Sequence, residues 1–288
     1  MNEPMKQLLT LLPTGHDVLI QDWDGLEEIR LSVGKEIQLC YTHKTVFLPC
    51  VSDEAMIGSV LDHCTQRSPY AFQEMLRRGF LILPGGHRLG ICGTGVYKEG
   101  HLMSLRDISS VNIRVAKAVF GFGTPVADVL WSHPGSALCI GPPGRGKTTL
   151  LRDVIRQLST RFRQRISLID ERLEVAACLH GCPQFDVGPT TDVLSAVSKA
   201  EGIYMVTRSM NPTWIALDEI TAEEDVDAII RSSYCGVRFL ATAHGDGITD
   251  LCRRPIYRRL TDSGVFDYLF IIGGDRRIRQ EDLCCCVL

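Results

Sequence analysis

No apolar run in this 288-residue chain approaches the roughly 18 to 20 residues that cross a bilayer. The opening Met1-Asn-Glu-Pro-Met-Lys6 lacks the basic-then-apolar layout of an export signal. Charge of one sign is also missing. The net charge of −3 exerts no global pull toward nucleic acid or an anionic membrane, and no basic stretch interleaved with aromatics is present. Repeats and low-complexity segments are lacking too. These absences argue against a membrane-spanning protein, an extended array and a direct nucleic-acid binder. They predict a cytoplasmic globular protein, and the length allows one large or two modest domains.

Cysteine, by contrast, is plentiful, with 12 residues. Cys40, Cys92, Cys139 and Cys235 sit singly in apolar segments and are expected to act as small buried hydrophobes. Cys178-Leu-His-Gly-Cys182 has no second Cys or His pair nearby, so packing is preferred to zinc. The end of the chain, Cys284-Cys-Cys-Val-Leu288, formally matches a prenylation pattern but reads as a thiol-bearing tail.

The chain is organised around Gly141-Pro142-Pro143-Gly144-Arg145-Gly146-Lys147-Thr148-Thr149, which fits the G-x-x-x-x-G-K-[ST] phosphate-binding loop. The glycines let backbone N–H groups turn inward toward phosphate oxygens. Lys147 offers a positive charge to the β and γ phosphates, and Thr148 a hydroxyl to Mg²⁺. The context matches the mechanism. Ser136 to Ile140 reads as a buried strand, and Leu150, Leu151, Val154, Ile155 and Leu158 have helical spacing. The predicted ligands are ATP and Mg²⁺.

Upstream, residues 1–20 carry a helical pattern. Leu26 to Val33 and Ile37 to Tyr41 alternate around a Gly34-Lys35 turn and read as a hairpin, with Thr45 to Cys50 as a possible third strand. Helices are expected from Ser52 to Cys64 and from Tyr70 to Arg78. Strands are expected at Phe80 to Leu83 and Leu89 to Cys92, a solvated turn at His87-Arg88, and a further turn region from Gly95 to Gly100. Phe120-Gly-Phe-Gly-Thr-Pro125 is a candidate boundary, giving an α+β domain over 1–120 and a second domain over 121–288. Beyond it strands alternate with helices. Ile166 to Ile169, Trp214 to Leu217, Val237 to Thr242 and Tyr268 to Ile272 read as strands, the last as the final element. Val193 to Met210 and Ala222 to Tyr234 read as helices. Such alternation predicts a mainly parallel sheet with helices on both faces.

In open parallel sheets, ligands bind beyond the carboxyl ends of the strands. Asp218-Glu219 after a buried run fits a Walker B element, in which Asp218 holds Mg²⁺ and Glu219 orients or deprotonates the attacking water. Asp170-Glu171 is a second acidic pair, with Asp170 a candidate metal ligand and Glu171 a candidate catalytic carboxylate. His244 is a candidate γ-phosphate sensor. Arg208, Arg114 and Arg231 are candidates for stabilising transition-state charge, in cis or across a subunit interface.

The order of these motifs carries a resemblance. GPPGRGKTTLLRDVIRQLS is followed by IDERLEVA, DVGPTTDVL, RSMNP, WIALDEI and LATAHG. Upstream stand LEEIRLSVGKEIQL, YAFQEMLRRGFLILPGGHRLGICG and DISSVNIRVAKAV. The sequence resembles the stage III sporulation protein AA family of endospore-forming bacteria, itself similar to the type II/type IV secretion ATPases. The resemblance implies a RecA-like P-loop ATPase core behind a smaller, mobile α+β domain. It equates Gly141 to Thr149 with Walker A, Asp170-Glu171 with an Asp-box-like element, Asp218-Glu219 with Walker B and His244 with the histidine box. It further implies a homo-oligomer, suspected to be a hexamer, that powers a channel from mother cell to forespore. Its partners would be membrane proteins of that channel, which would hold it peripherally at the membrane. One departure is that secretion ATPases usually carry Gly-Glu where this chain has Asp218-Glu219. Two other classes stay open at this point: a nucleic-acid-stimulated RecA-like ATPase, and a nucleotide-binding channel scaffold without hydrolysis.

Overall fold

The structure, a computed structural model, describes residues 25–65, 68, 70, 73 and 78–283. The expected helix in residues 1–20 and the tail 284–288 lie outside the described residues, as does most of the expected helix from Tyr70 to Arg78. The chain divides into two compact units, Met1–Lys117 and Ala118–Leu288.

The first unit is built on an antiparallel sheet. Its strands are β1 (Leu26–Ser32), β2 (Glu36–Tyr41), β3 (Thr45–Val51), β4 (Leu81–Ile82), β5 (Arg88–Lys98) and β6 (His101–Arg114), in the order β3-β2-β1-β6-β5-β4. Period-2 alternation sends Ile29, Leu31, Ile37, Leu39, Leu89, Val111 and Ile113 to one face. Helix α1 (Glu54–Thr65) closes that face with Ile57 and Val60. The region from Gly95 to Gly100 is mostly strand rather than turn. β5 runs on to Lys98, and bulges at Cys92–Thr94 and Val96–Tyr97 absorb the irregularity. A side chain at Gly93 would lie 2.7 Å from the Arg106 carbonyl, so this glycine serves a close cross-strand approach. His87 is buried rather than solvated, and its Nδ1 accepts the Ala116 N–H.

The second unit has a seven-stranded sheet in the order β13-β12-β7-β11-β10-β8-β9. Its members are β7 (Ala137–Gly141), β8 (Ile166–Asp170), β9 (Thr191–Ser195), β10 (Trp214–Leu217), β11 (Arg238–His244), β12 (Tyr268–Ile272) and β13 (Ile278–Asp282). All neighbours are parallel except β12 and β13. Because β7, β8 and β10 are buried along their whole length, both sheet faces must be covered. On one face Val126 and Leu130 of α2 (Thr124–Ser132) join Leu150, Val154, Ile155 and Leu158 of α3 (Lys147–Phe162). The other face is covered by α4 (Lys199–Ser209) and α5 (Glu223–Ser233), with α6 (Ile248–Arg253) and α7 (Pro255–Asp262) beyond them.

Three features depart from expectation. Thr191–Ser195 is an edge strand paired with β8, and the helix begins only at Lys199, after the Ser198 cap. β13 follows β12, although its polar Ile-Arg-Gln-Glu-Asp sequence has no strand pattern; ladder hydrogen bonds to β12 place it there. Of the four cysteines expected to be buried, Cys139 is buried, Cys40 is half-buried, and Cys92 and Cys235 are exposed. Burial pushes the Cys139 thiol up to about 12, making it inert packing.

Candidate functional site

The parallel register brings the site together. Gly141 is opposite His244, Leu217 opposite Ala241, and Leu217 opposite Ile169. The residues that follow β7, β8 and β10 therefore emerge along one edge, beside His244 at the end of β11. The pairing of β7 with β11 brings Lys147 to His244 although they are 97 positions apart in the chain.

The loop from β7 to α3 turns through Gly144 (φ +69) and Gly146 (φ +96), a region that costs a side-chain-bearing residue about 1 to 2 kcal/mol. Arg145 leans out, its guanidinium donating to the Gly274 carbonyl at 3.2 Å. Lys147 folds back over the loop. Its ammonium donates to the carbonyls of Gly141 at 2.8 Å and Pro142 at 3.1 Å, and its Nζ lies 2.9 Å from His244 Nδ1. Burial lowers the pKa of Lys147, and the nearby Glu219 and Asp218 carboxylates oppose that shift.

Thr148 points its hydroxyl at both oxygens of Asp218, at 3.4 and 3.3 Å. Asp218 is only 7% exposed. Burial raises its carboxyl above the ordinary range. Hydrogen bonds from the Glu219 backbone and the Thr242 hydroxyl act against that, and the charges of Glu174 and Asp170 add to it. The Thr242 hydroxyl donates at 3.0 Å. A hydroxyl and a carboxylate, both hard oxygen donors, fit the chemistry of Mg²⁺. Glu219 is part-exposed, with its Oε2 3.8 Å from the Arg172 guanidinium.

The second acidic pair does something different from what its sequence suggests. Asp170 is fully buried and accepts four backbone N–H groups, from Glu174 (2.8 Å), Val175 (3.1 Å), Ala176 (2.9 Å) and Ala177 (3.2 Å). A carboxylate has about four lone-pair sites, so these amides use its capacity. In this arrangement Asp170 builds the loop after β8. Glu171 is ion-paired with Lys199. From α3, Arg152 clamps the same loop by donating to the Val175 carbonyl at 2.6 Å and the Glu174 carbonyl at 2.7 Å.

Arg208 and Arg231 are exposed in the last turns of α4 and α5, and Arg114 pairs with Glu28 in the first unit. Neither Arg208 nor Arg231 has a hydrogen bond to the phosphate loop among the described residues. Sequence reading missed Thr242, Lys199 and Glu174. A hydroxyl inside the otherwise apolar Leu-Ala-Thr-Ala run was a usable signal for Thr242. Lys199 carried none. No cluster of three or more His, Cys, Asp or Glu suited to a metal occurs among the described residues, Cys178 to Cys182 included.

A family model described as sporulation stage III, protein AA, matches residues 7–279. The chain belongs to that family. The stage III sporulation protein AA family is represented among its relatives by the protein of that name from Bacillus subtilis (strain 168). That protein is 37% identical over 270 residues, spanning 92% of this chain and 86% of the relative. A more distant relative, uncharacterized protein ycf45 of Porphyra purpurea, is 31% identical over 234 residues, which are 79% of this chain and 40% of that protein. Among solved structures, the pilus retraction motor PilT with bound ADP superposes with a TM-score of 0.64 at 18% identity, covering 89% of this chain and 78% of that one. The ATPase DotB of Legionella pneumophila gives 0.57 at 14% identity, covering 88% and 75%. The fold of this family member is thus α/β and RecA-like, shared with secretion and retraction ATPases. None of its helices among the described residues is long and apolar enough to cross a membrane.

Proposed function

We propose that this chain is an ATP-hydrolysing motor of the secretion-ATPase type. The observation that carries the reading is the meeting of Thr148 and Asp218 at 3.3 Å beside Lys147. A phosphate-gripping loop and a carboxylate at the end of another parallel strand of the same sheet are the two halves of a nucleotide-hydrolysis site. In this reading the N–H groups from Gly144 to Thr149 and the Lys147 ammonium hold the β and γ phosphates. Thr148 and Asp218 hold Mg²⁺, which when bound neutralises phosphate charge. Glu219 orients water and takes its proton as the water oxygen attacks the γ-phosphorus and the bond to the β–γ bridging oxygen breaks, leaving ADP and phosphate. His244 senses the γ-phosphate through the same ammonium it now touches. Asp170 acts through the loop it builds, and Glu171 serves as a further carboxylate at the reacting end. Arg208 is assigned to a subunit interface, because it is exposed in the last turn of α4 and has no hydrogen bond to the loop among the described residues.

The family membership supports a place in endospore formation. We assign the chain to a homo-oligomer, six-membered by analogy with the motors it resembles. The oligomer works peripherally at the membrane through the membrane proteins of a mother-cell-to-forespore channel, with the amino-terminal residues 1–120 as a mobile companion domain. The test is phosphate release with ATP and Mg²⁺, together with oligomeric mass with and without both. Mg²⁺-dependent release and a mass increase support the motor. Nucleotide binding with no release under either condition overturns it in favour of a scaffold.

A further inference from the structure

Lys199 is the first residue of α4, where a cation opposes the positive end of the helix dipole. It is also 3% exposed, a cost for an ammonium group that only close carboxylates offset. Two are present. Glu171, on the loop after β8, forms an ion pair with Nζ, and Asp225 Oδ2, in the first turn of α5, lies 3.9 Å away. Asp225 in turn accepts the N–H groups of Thr221 and Ala222, both at 3.3 Å, on the segment that follows Glu219. The loop after β8 is held from its other side too, by Arg172 to Glu219 and by Arg152 to the backbone.

We infer that Lys199 is a positioning residue for the hydrolytic site. It locks Glu171 in place and couples the loop after β8 to the segment carrying Asp218 and Glu219. The inference rests on the hydrolysis reading above and deepens it: one buried cation sets the relative position of the two acidic loops. A helix-start lysine that violated both its local preferences for packing alone would be replaced by an apolar residue without loss. Here it is the sole described cation within ion-pair distance of Glu171.

The experiment compares Lys199→Met, Glu171→Gln and the double variant. Steady-state hydrolysis of Mg²⁺-ATP is measured alongside hydrogen exchange of residues 171–177. Each single variant lowers kcat about a hundredfold, the cost of a catalytic group displaced by about an ångström, while KM stays within about twofold. The double variant is no slower than Lys199→Met alone, because that substitution already removes the contact to Glu171. Exchange across 171–177 rises in both. Glu171→Gln leaves Lys199 paired with Asp225, so it stays informative should Lys199→Met fold poorly. Multiplicative losses in the double variant, a rise in KM alone, or unchanged exchange each overturn the inference. A wild-type chain that binds nucleotide without turnover sinks the hydrolysis reading instead. The exchange measurement still decides then whether Lys199 fixes the loop, with unchanged exchange overturning it and raised exchange upholding it.

Discussion

Lys147 and His244 meet at the open end of the sheet, Nζ to Nδ1 at 2.9 Å. With the Gly141 and Pro142 carbonyls, His244 completes a set of three acceptors for an ammonium that has three protons to donate. A phosphate must draw the lysine away from this set. Lys147→Ala is expected to weaken ATP binding about 10- to 100-fold, the worth of a charge-assisted hydrogen bond to an anion, as read by a fluorescent nucleotide. His244→Ala is expected to leave ADP affinity within about threefold while kcat falls about tenfold. Equal losses of ADP and ATP affinity would place His244 in general binding.

The Glu219 side chain has no hydrogen bond to the loop or to Asp218 among the described residues, but its charge acts on Lys147. Glu219→Gln keeps the shape and removes the base. Nucleotide affinity should hold while phosphate release falls about 10²- to 10⁴-fold. Undiminished release would exclude Glu219 as the water-activating group.

The four amides on Asp170 make a stability prediction. Asp170→Ala leaves buried N–H groups without an acceptor and should cost on the order of 3 kcal/mol or more in the absence of Mg²⁺, measured by urea denaturation. Were Asp170 only an ion ligand, its removal would relieve repulsion on Asp218 and stabilise the metal-free protein.

Asp218 gives the pH dependence. Its folded-state carboxyl is raised above 3.8 by burial, so its contribution to stability is fully present below the ordinary value and is lost as pH rises through the raised one. Asp218→Asn should therefore raise Tm by a few degrees near neutrality, an advantage that vanishes in acid, where both forms are neutral. Mg²⁺-ATP should then stabilise the wild type more than the variant. A variant no more stable than wild type at pH 8 would contradict the buried charge.

Much of the site was legible in the chain itself. Gly144 and Gly146 announce left-handed backbone, and Lys147 and Thr148 follow at the spacing phosphate requires. Short, largely apolar runs before Asp218 and His244 mark strand ends, because runs of that length bounded by polar residues fit strands buried on both faces of a covered sheet. Less legible was whatever depends on neighbours. The polar strand β13 exists only because β12 offers it a ladder. Pairing with β6 keeps Gly95 to Lys98 extended, where Gly95 and Gly100 suggested a turn.

Local sequence therefore determined the phosphate loop, the acidic strand ends and the alternation of strands and helices, since these follow from backbone freedom, charge and apolar period within a few residues. Only the tertiary structure decided how each acid is used. Asp170 and Asp218 look alike in sequence, each an aspartate followed by glutamate after a buried strand. One meets four amides of its own loop and the other meets hydroxyls from α3 and β11. The partners of a carboxylate set its chemistry, and folding brings them from segments that no short window of sequence contains.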